Sequence, residues 1–371
     1  MQQQTLNTFY MKPLLLGLFL ACCIFTGCKK KDAEKVSKEE AIAFAHTIEK
    51  QVEDFKIDFI EKNVHFPTLM DRIYLNENSK KLKGIEAGMK KNLSSNNYEK
   101  AIYDIMGGAG SFEMTKQYEN NGLQHAIFRI QGVNGFNYID MEFTKQDKKI
   151  WIADMFLFNN GENLSKSMGD LAEKLLAHEG TAIEKDLVTN MDRIKKYMRD
   201  GEYENARTVY LRLPYNLRNN KLYEGVYLEI LSKINQEEYL AELEKITQKY
   251  ESKDGYSLML LDVYLAKKDF AKALSCIDVI DSTVKHDPFL DYYRGLVSNM
   301  NNDKEKAIGY FQKVTVNMPD FADNYAELFA HYSAINDKEN AKKYYTIYKT
   351  LKGKSSDVMN FYETQYPYLS E

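Results

Sequence analysis

Between residues 187 and 350 the apolar positions return with helical spacing, and the pattern itself repeats. Ala273, Ala307 and Ala341 stand 34 residues apart, each within the second of two amphipathic helices, and each is followed four positions on by Ile277, Phe311 or Tyr345. Upstream, Leu260 and Tyr264 are echoed by Leu328 and Tyr332, while the middle unit supplies Gly295, twelve residues before its alanine, and Pro319 at its end. Extended backwards, the period reaches Tyr239 with Leu243 and Ile246, and then, 33 residues earlier, Ala206 with Tyr210 after a turn at Asp200-Gly201. Polar turns such as Lys267-Lys268-Asp269, Asn301-Asn302-Asp303 and Asn336-Asp337 separate the helices. The pattern predicts five helix pairs over 187–350, the second held wider by Tyr239 at a small-residue position. Residues 356–366, ended by Pro367, predict a capping helix with a polar outer side.

The other half of the chain changes period along its length. Ser37 and Glu40 form a capping-box pattern that opens a long helix in which Ala41, Phe44, Ile48, Val52 and Phe55 keep helical spacing to about Asn63. Two shorter helical stretches follow, near 79–92 and 97–106. The period then becomes two. Asn121-Gly122, Asn134-Gly135 and Gln146-Asp147-Lys148 separate four alternating runs between Ser111 and Phe158, which predicts an antiparallel meander. In the third strand Ile139, Met141 and Phe143 oppose Tyr138, Asp140 and Glu142; in the fourth, Trp151, Ala153, Met155 and Leu157 oppose Ile150, Ile152, Asp154 and Phe156. Both faces of that last strand are largely apolar, so it is expected to be central and covered, with the first helix as the cover. Residues 161–178, with Leu164, Met168, Leu171 and Leu175, form a joining helix. The predicted class is an α+β domain over 38–180 followed by an all-α solenoid over 187–371.

The alanine and aromatic positions of the second half resemble the tetratricopeptide repeat, in which a small residue lets two helices approach and a ring fills the gap beside it. That resemblance implies a concave groove lined by the first helix of each pair, where relatives hold an extended peptide or a partner helix. By the periodicity, Leu258, Asp262, Tyr292, Leu296 and Asn299 are its candidates; the plain alternative is a solvated face with scattered apolar residues. The paired lysines and asparagines with which some relatives clamp a peptide carboxylate are absent from the corresponding positions, which disfavours a chaperone-tail receptor. The chain holds 27 tyrosines, but many, such as Tyr264, Tyr332 and Tyr345, occupy repeat-core positions. The element order of the first half, with its Lys149-Ile150-Trp151-Ile152-Ala153-Asp154 strand, resembles the cone-shaped NTF2-like fold; a cystatin-like or other helix-on-sheet domain fits equally. An NTF2-like cone implies a pocket, for which His125, Asp140, Glu142 and Asp154 are the candidates, against the ordinary reading of polar side chains on an outer sheet face.

The N-terminus carries a different signal. Met11-Lys12-Pro13 is followed by an apolar run from Leu14 to Phe25, about a dozen residues where a bilayer span takes about 20. It ends in Phe25-Thr26-Gly27-Cys28, which resembles the lipobox of bacterial lipoproteins apart from the large Phe25. The resemblance implies a signal peptide over 1–27, cleavage before Cys28, lipid on that cysteine, and a lipidated linker over 28–37. Two or three acyl chains hold a protein at a membrane without help from its fold. Cys22 and Cys23 leave with the signal, so Cys276 alone remains as a thiol, on a predicted helix as a buried small hydrophobe. With Lys12 removed, 49 basic residues face 54 acidic ones. The basic residues form no stripe, which argues against nucleic acid. Lys29, Lys30 and Lys31 are the one basic cluster, placed beside the lipid.

Chemistry-bearing motifs are missing. His46, His65, His125, His178, His286 and His331 stand far apart with no metal-ligand spacing. Gly107-Gly108-Ala109-Gly110-Ser111 lacks the lysine of a phosphate loop and reads as a turn, and there is no Gly-x-Ser-x-Gly element. No catalytic residue, metal or cofactor is assigned. The leading reading is a lipid-anchored, non-enzymatic adaptor of the cell envelope, at the outer membrane, binding a protein or peptide in the repeat groove. The alternatives are a small-ligand binder or enzyme using a pocket in the α+β domain, and a surface glycan-binding accessory lipoprotein.

Overall fold

A computed structural model describes residues 34–56, 58–76, 86–95, 98–108, 110–132, 135–159, 161–176, 182–219, 221–249 and 254–370. The signal segment, Cys28, Lys29, Lys30, Lys31 and Asn134 lie outside the described residues.

Helix α1 (Lys38–Glu53) starts as its sequence requires: Ser37 Oγ accepts from the Glu40 N–H at 3.1 Å, and the Glu40 carboxylate accepts from the Ser37 N–H at 3.0 Å. Its stripe of Ala41, Ala45, Ile48 and Val52 is buried. The helix does not run on to Asn63. Phe55 and Asp58 take φ of 54° and 75°, and a separate turn, α2 (Phe59–Lys62), follows. Helix α3 (Phe66–Asn76) is hidden in the sequence by Pro67, yet in a first turn proline lacks only an N–H that would have no helical partner. The His65 ring accepts from the Thr68 N–H there at 3.3 Å. Helices α4 (Glu86–Ser95) and α5 (Tyr98–Met106) are the two shorter stretches.

The sheet runs β1 (Ser111–Asn120), β2 (Leu123–Gly132), β3 (Gly135–Gln146), β4 (Lys149–Leu157) and β5 (Glu162–Asn163), antiparallel and in that order. Asn121-Gly122 (51° and 79°) and Asp147-Lys148 (50° and 65°) make two-residue turns with left-handed φ, which suit the twist of a hairpin. Phe112, Phe128, Met141 and Phe143 pack beneath α1. In β4 a bulge inserts Ala153, because Glu142 pairs with Asp154 but Phe143 pairs with Ile152. Ile150 and Ile152 therefore share the helix-covered face with Met155 and Leu157, against the simple alternation. Nor is β4 central. Only short β5 lies beyond it, and the backbone of Asn63 and His65 covers its edge through two 2.8 Å hydrogen bonds with Ile152.

Helix α6 (Leu164–Leu176) leads to the helix pairs α7 (Ala182–Arg199) and α8 (Tyr203–Leu211); α10 (Lys221–Ile234) and α11 (Gln236–Gln248); α12 (Ser257–Ala266) and α13 (Phe270–Thr283); α14 (Phe289–Met300) and α15 (Lys304–Asn317); and α16 (Ala322–Ala334) and α17 (Lys338–Thr350). The short α9 (Tyr215–Arg218) precedes the second pair, and α18 (Ser356–Gln365) caps the array. The turns repeat as strictly as the helices. Lys268, Asn302 and Asn336 take φ of 59° to 62°, and Asp269, Asp303 and Asp337 directly after them cap α13, α15 and α17. Ala206, Ala273, Ala307 and Ala341 are buried at the helix crossings. Half-buried Tyr239, by contrast, leans with Met259 on Leu228, Leu243, Ile246 and Val263, in a small core of its own. In the fourth pair the Phe311 ring lies directly on Gly295, where a Cβ would stand 2.3 Å from a ring carbon.

The second face of the sheet is covered by the array. Ile127, Tyr138 and Phe158 share one core with Tyr256, Leu260, Ile277 and Leu290. Gly161 and Gly255 meet backbone to backbone, so that a Cβ on Gly255 would lie 2.7 Å from the Gly161 carbonyl oxygen. In this contact Arg129 Nη1 donates to both oxygens of Asp287, each at 2.8 Å, and its Nη2 donates to Glu113 at 2.6 Å. The Tyr138 hydroxyl donates to Asp287 at 2.9 Å, and the guanidinium lies 4.8 Å from the centre of the Phe289 ring. Arg129 is 3% exposed and Asp287 4%.

Two stability measurements check this packing. Gly295→Ala must displace the buried Phe311 ring and is expected to cost about 1–3 kcal/mol in thermal unfolding. Gly309→Ala, on α15 with nothing within 4 Å of the new methyl, should instead add about 0.5–1 kcal/mol. Asp287→Ala leaves the buried Arg129 with only the half-exposed Glu113 as a carboxylate partner and is expected to cost about 3 kcal/mol, while joining it to Arg129→Met should restore much of that loss. Parent-like melting of Asp287→Ala would remove the ion pair from the account of the interface.

Candidate functional site

The four sheet residues singled out from sequence come together. Tyr118, His125, Glu142 and Asp154 stand opposite one another across β1 to β4, because the β4 bulge brings Asp154 into register with Glu142. Asp140 lies on the same face of β3. The His125 ring Nδ1 is 3.2 Å from Asp140, to which the Tyr118 hydroxyl also donates. From α3, Arg72 donates to Glu142 and, at 3.3 Å, to Asp154. Asp154 further accepts from the Ser165 hydroxyl at 2.6 Å and from the Ser165 N–H at 3.1 Å. Burial and the Asp140 carboxylate raise the Tyr118 hydroxyl far above its usual range, and it stays a donor. Each member of the row is therefore held by another member, and the row ties α3 and the start of α6 to the sheet. Among the described residues no group of three His, Cys, Asp or Glu side chains is arranged to hold a metal ion. A cavity of about 110 Å³, between the first two helix pairs and bordered by Tyr210, Tyr227 and Lys249, falls short of the roughly 300 Å³ at which small-molecule sites begin.

The first helices of the array present a different surface. Asp262 is open to water on α12, yet burial pushes its carboxyl up to about 6. Asp262 in turn raises Tyr239 of the preceding unit, pushed up to about 12 mainly by burial, and Tyr293 of the following one. Asp323 and Glu327, one turn apart on α16, are also raised by burial, and both act on Tyr292. Glu327 reaches Tyr362 on α18 as well. The groups of α12, α14, α16 and α18 thus share one electrostatic neighbourhood.

The five groove residues named from sequence fare differently. Asp262 and Tyr292 belong to this neighbourhood. Tyr292 and Leu296 also rest their inner sides on the core of the fourth and fifth units, while Leu258 packs on the core shared with the sheet. Asn299, at the end of α14, accepts from Lys304 at 2.5 Å. Sequence reasoning missed Tyr293, Asp323 and Glu327. The position that carries Tyr293 recurs 34 residues apart as Met259 and Glu327, three unlike residues that no periodic apolar pattern picks out.

The chain matches no protein-family profile and no curated protein. Among solved structures it is similar to MamA, residues 41 to the end, from Desulfovibrio magneticus RS-1, at 17% identity over 50% of this chain and 99% of that one, with a TM-score of 0.38. A double mutant of RS-1 MamA gives 16%, 50%, 99% and 0.38 in the same terms. A further MamA crystal structure gives 16%, 49%, 96% and 0.37. Likenesses this loose carry no property of MamA to this chain.

The state of Asp262 predicts a pH-dependent stability. An aspartate in the unfolded chain titrates near 3.9, whereas this one titrates at about 6 in the fold. The folded state binds the extra proton between these values, so stability falls as pH rises through that window and stays reduced above it. Asp262→Asn removes the penalty. It is expected to melt above the parent at about pH 7.5 and to converge with it below about pH 4, as followed by circular dichroism.

Proposed function

We propose that this chain is an adaptor, tethered by lipid on Cys28 to a membrane of the cell envelope, whose helical array holds a segment of a protein partner in its groove. The observation that carries the reading is the groove itself. Asp262, Asp323 and Glu327 have no hydrogen bond or ion pair among the described residues, and rings stand beside them, whereas the polar row of the sheet closes on its own members. A partner could engage these unpaired carboxylates; catalysis would need a reactive group left free, and the row of His125, Asp140, Glu142 and Asp154 favours a structural role. The lipobox-like Phe25-Thr26-Gly27-Cys28 supports the anchor, and Lys29 after it supports the outer rather than the inner membrane, by resemblance to known sorting rules. No described helix is long and apolar enough to cross a membrane.

A photo-reactive amino acid in place of Tyr292 is expected to capture a protein in cells of the source organism, while the same residue in place of Val316, exposed on the second helix of its pair, captures none. Equal capture from both positions would remove the groove from the proposal. Cys28→Ala should abolish incorporation of a labelled fatty acid and leave the precursor uncleaved; persistent labelling would refute the anchor.

A further inference from the structure

The first helix pair ends differently from the later ones, and the cavity between it and the second pair lies at that end. Helix α8 stops at Leu211, five residues after Ala206, whereas α13, α15 and α17 continue nine or ten residues past their alanines. Pro214 disfavours helix in the residue before it and opens α9 instead, where the Leu217 and Arg218 N–H groups donate to its carbonyl at 3.0 and 3.1 Å. The turn is fixed from within: Leu217 is buried, and the Tyr210 hydroxyl donates to the Arg218 carbonyl at 3.3 Å. This corner forms one wall of the cavity, and α10 and the end of α11 supply the others.

Arg218 is the group in that cavity without a counterpart. Among the described residues, every other arginine that is not exposed meets a carboxylate: Arg72 with Asp154 at 3.3 Å, Arg129 with Asp287 at 2.8 Å, Arg207 with Glu238 at 2.5 Å and Arg294 with Asp281 at 3.0 Å. Half-buried Arg218 meets none. Its Nε is closed off from water with no hydrogen-bond partner, and its terminal nitrogens, open to water, have no partner among the described residues. The two carboxylates that line the cavity with it are already engaged, Glu224 by Lys249 at 2.5 Å and Glu242 by Lys245 at 2.8 Å.

We infer that this cavity takes a carboxylate on a short carbon stem, its oxygens on the terminal nitrogens of Arg218 and its stem against the rings of Tyr215 and Tyr227. Size, charge and geometry agree. About 110 Å³ is too small for a whole drug-sized ligand but admits a group of a few heavy atoms. A planar guanidinium matches a carboxylate through two parallel charge-assisted hydrogen bonds. A phosphate would bring further negative charge toward Glu224 and Glu242, whereas a carboxylate brings the single charge that Arg218 lacks. The Tyr227 ring is held by Tyr210, stacked at 4.4 Å between centres, while Tyr215 is 73% exposed and stands open to an entering group. Two sources share this chemistry, an aspartate or glutamate side chain of another protein and a free small acid. None of the residues involved is a groove candidate, so the site stands or falls apart from the groove.

The test follows the Nε–H signal of Arg218 by nuclear magnetic resonance in the full chain carrying isotope-labelled arginine, the signal being assigned by its loss in Arg218→Lys. N-acetylglutamate methylamide, its glutamine counterpart, propionate and inorganic phosphate are titrated in turn. The two carboxylates should shift the signal saturably, and the glutamine compound should not. Arg218→Lys, which keeps the charge but loses the fork, should weaken the tighter acid by at least about tenfold in equilibrium dialysis, while Arg212→Lys, at an exposed arginine, leaves it unchanged. Tighter binding of the blocked glutamate identifies a protein side chain as the occupant, and tighter binding of propionate a free acid. A signal that neither acid moves, that the glutamine compound moves equally, or that phosphate moves at lower concentration overturns the proposal, as does an Arg218→Lys variant that binds like the parent.

Discussion

A guanidinium removed from water must replace its lost hydrogen bonds, and Arg129 does so through both terminal nitrogens, one of them across the boundary between the sheet and the array, while its Nε is left without a partner. Its partner, Asp287, is shared with the Tyr138 hydroxyl and with the Phe289 N–H, so donors from both sides meet on one carboxylate. The Asp287 N–H in turn donates to Asp281 at 3.0 Å, and the two residues before it, Lys285 and His286, both take left-handed φ. Two consecutive non-glycine residues in that region are unfavourable by themselves. They are held because the loop they form places Asp287 against Arg129. Burial also pushes the Tyr138 hydroxyl far above its ordinary range, which keeps its proton available to Asp287. Such a cluster contributes fit more than net energy: an unpaired member is costly, so it favours one arrangement of sheet and array over others.

That arrangement reaches the groove through aromatic rings. Phe136, on the sheet, packs 4.2 Å from Tyr293 and also touches Phe289; Phe289 meets Tyr292, and both meet Phe321 at the entry to α16. The tyrosines of the groove are therefore braced from behind by a line of rings that begins on the sheet. Rings carry few rotatable bonds, so little conformational freedom is lost when they bind. The sheet domain acts here as a buttress for the middle of the array.

Much of this was legible in sequence because it rests on local, repeated chemistry. The alanines, the aspartate caps and the capping box each act within one helix or one turn, and each appears where its pattern predicts. The hairpin turns were legible for the same reason. What escaped had no local signature. The α1 break depends on φ at Phe55 and Asp58, Pro67 reads as a stop although it opens α3, and the Ala153 bulge resets an alternation that otherwise looks regular. Arg129 and Asp287 are 158 positions apart and read separately as ordinary charges. The polar row needed both the bulge and Arg72 from a helix that sequence missed. The charges of Asp323 and Glu327 follow no repeat, since Phe289 and Tyr293 hold those positions one unit earlier.

In a stack of repeats each unit ordinarily contacts only its neighbours, and stability is a sum of units and their interfaces. The first unit keeps a core around Ile194, Ala206 and Tyr210, and the last keeps one around Phe329, Tyr345 and Tyr348. Among the described residues, the third unit and the first helix of the fourth share a core with the sheet. Fraying that begins at either end thus meets extra contacts before it reaches α12 and α14. Asp262, Tyr292 and Tyr293 sit on those two helices, so this stretch of the array is more firmly held than the outer repeats. A partner docking there would find its contacts already placed, and less of the interaction would be lost to ordering the site than on the outer repeats.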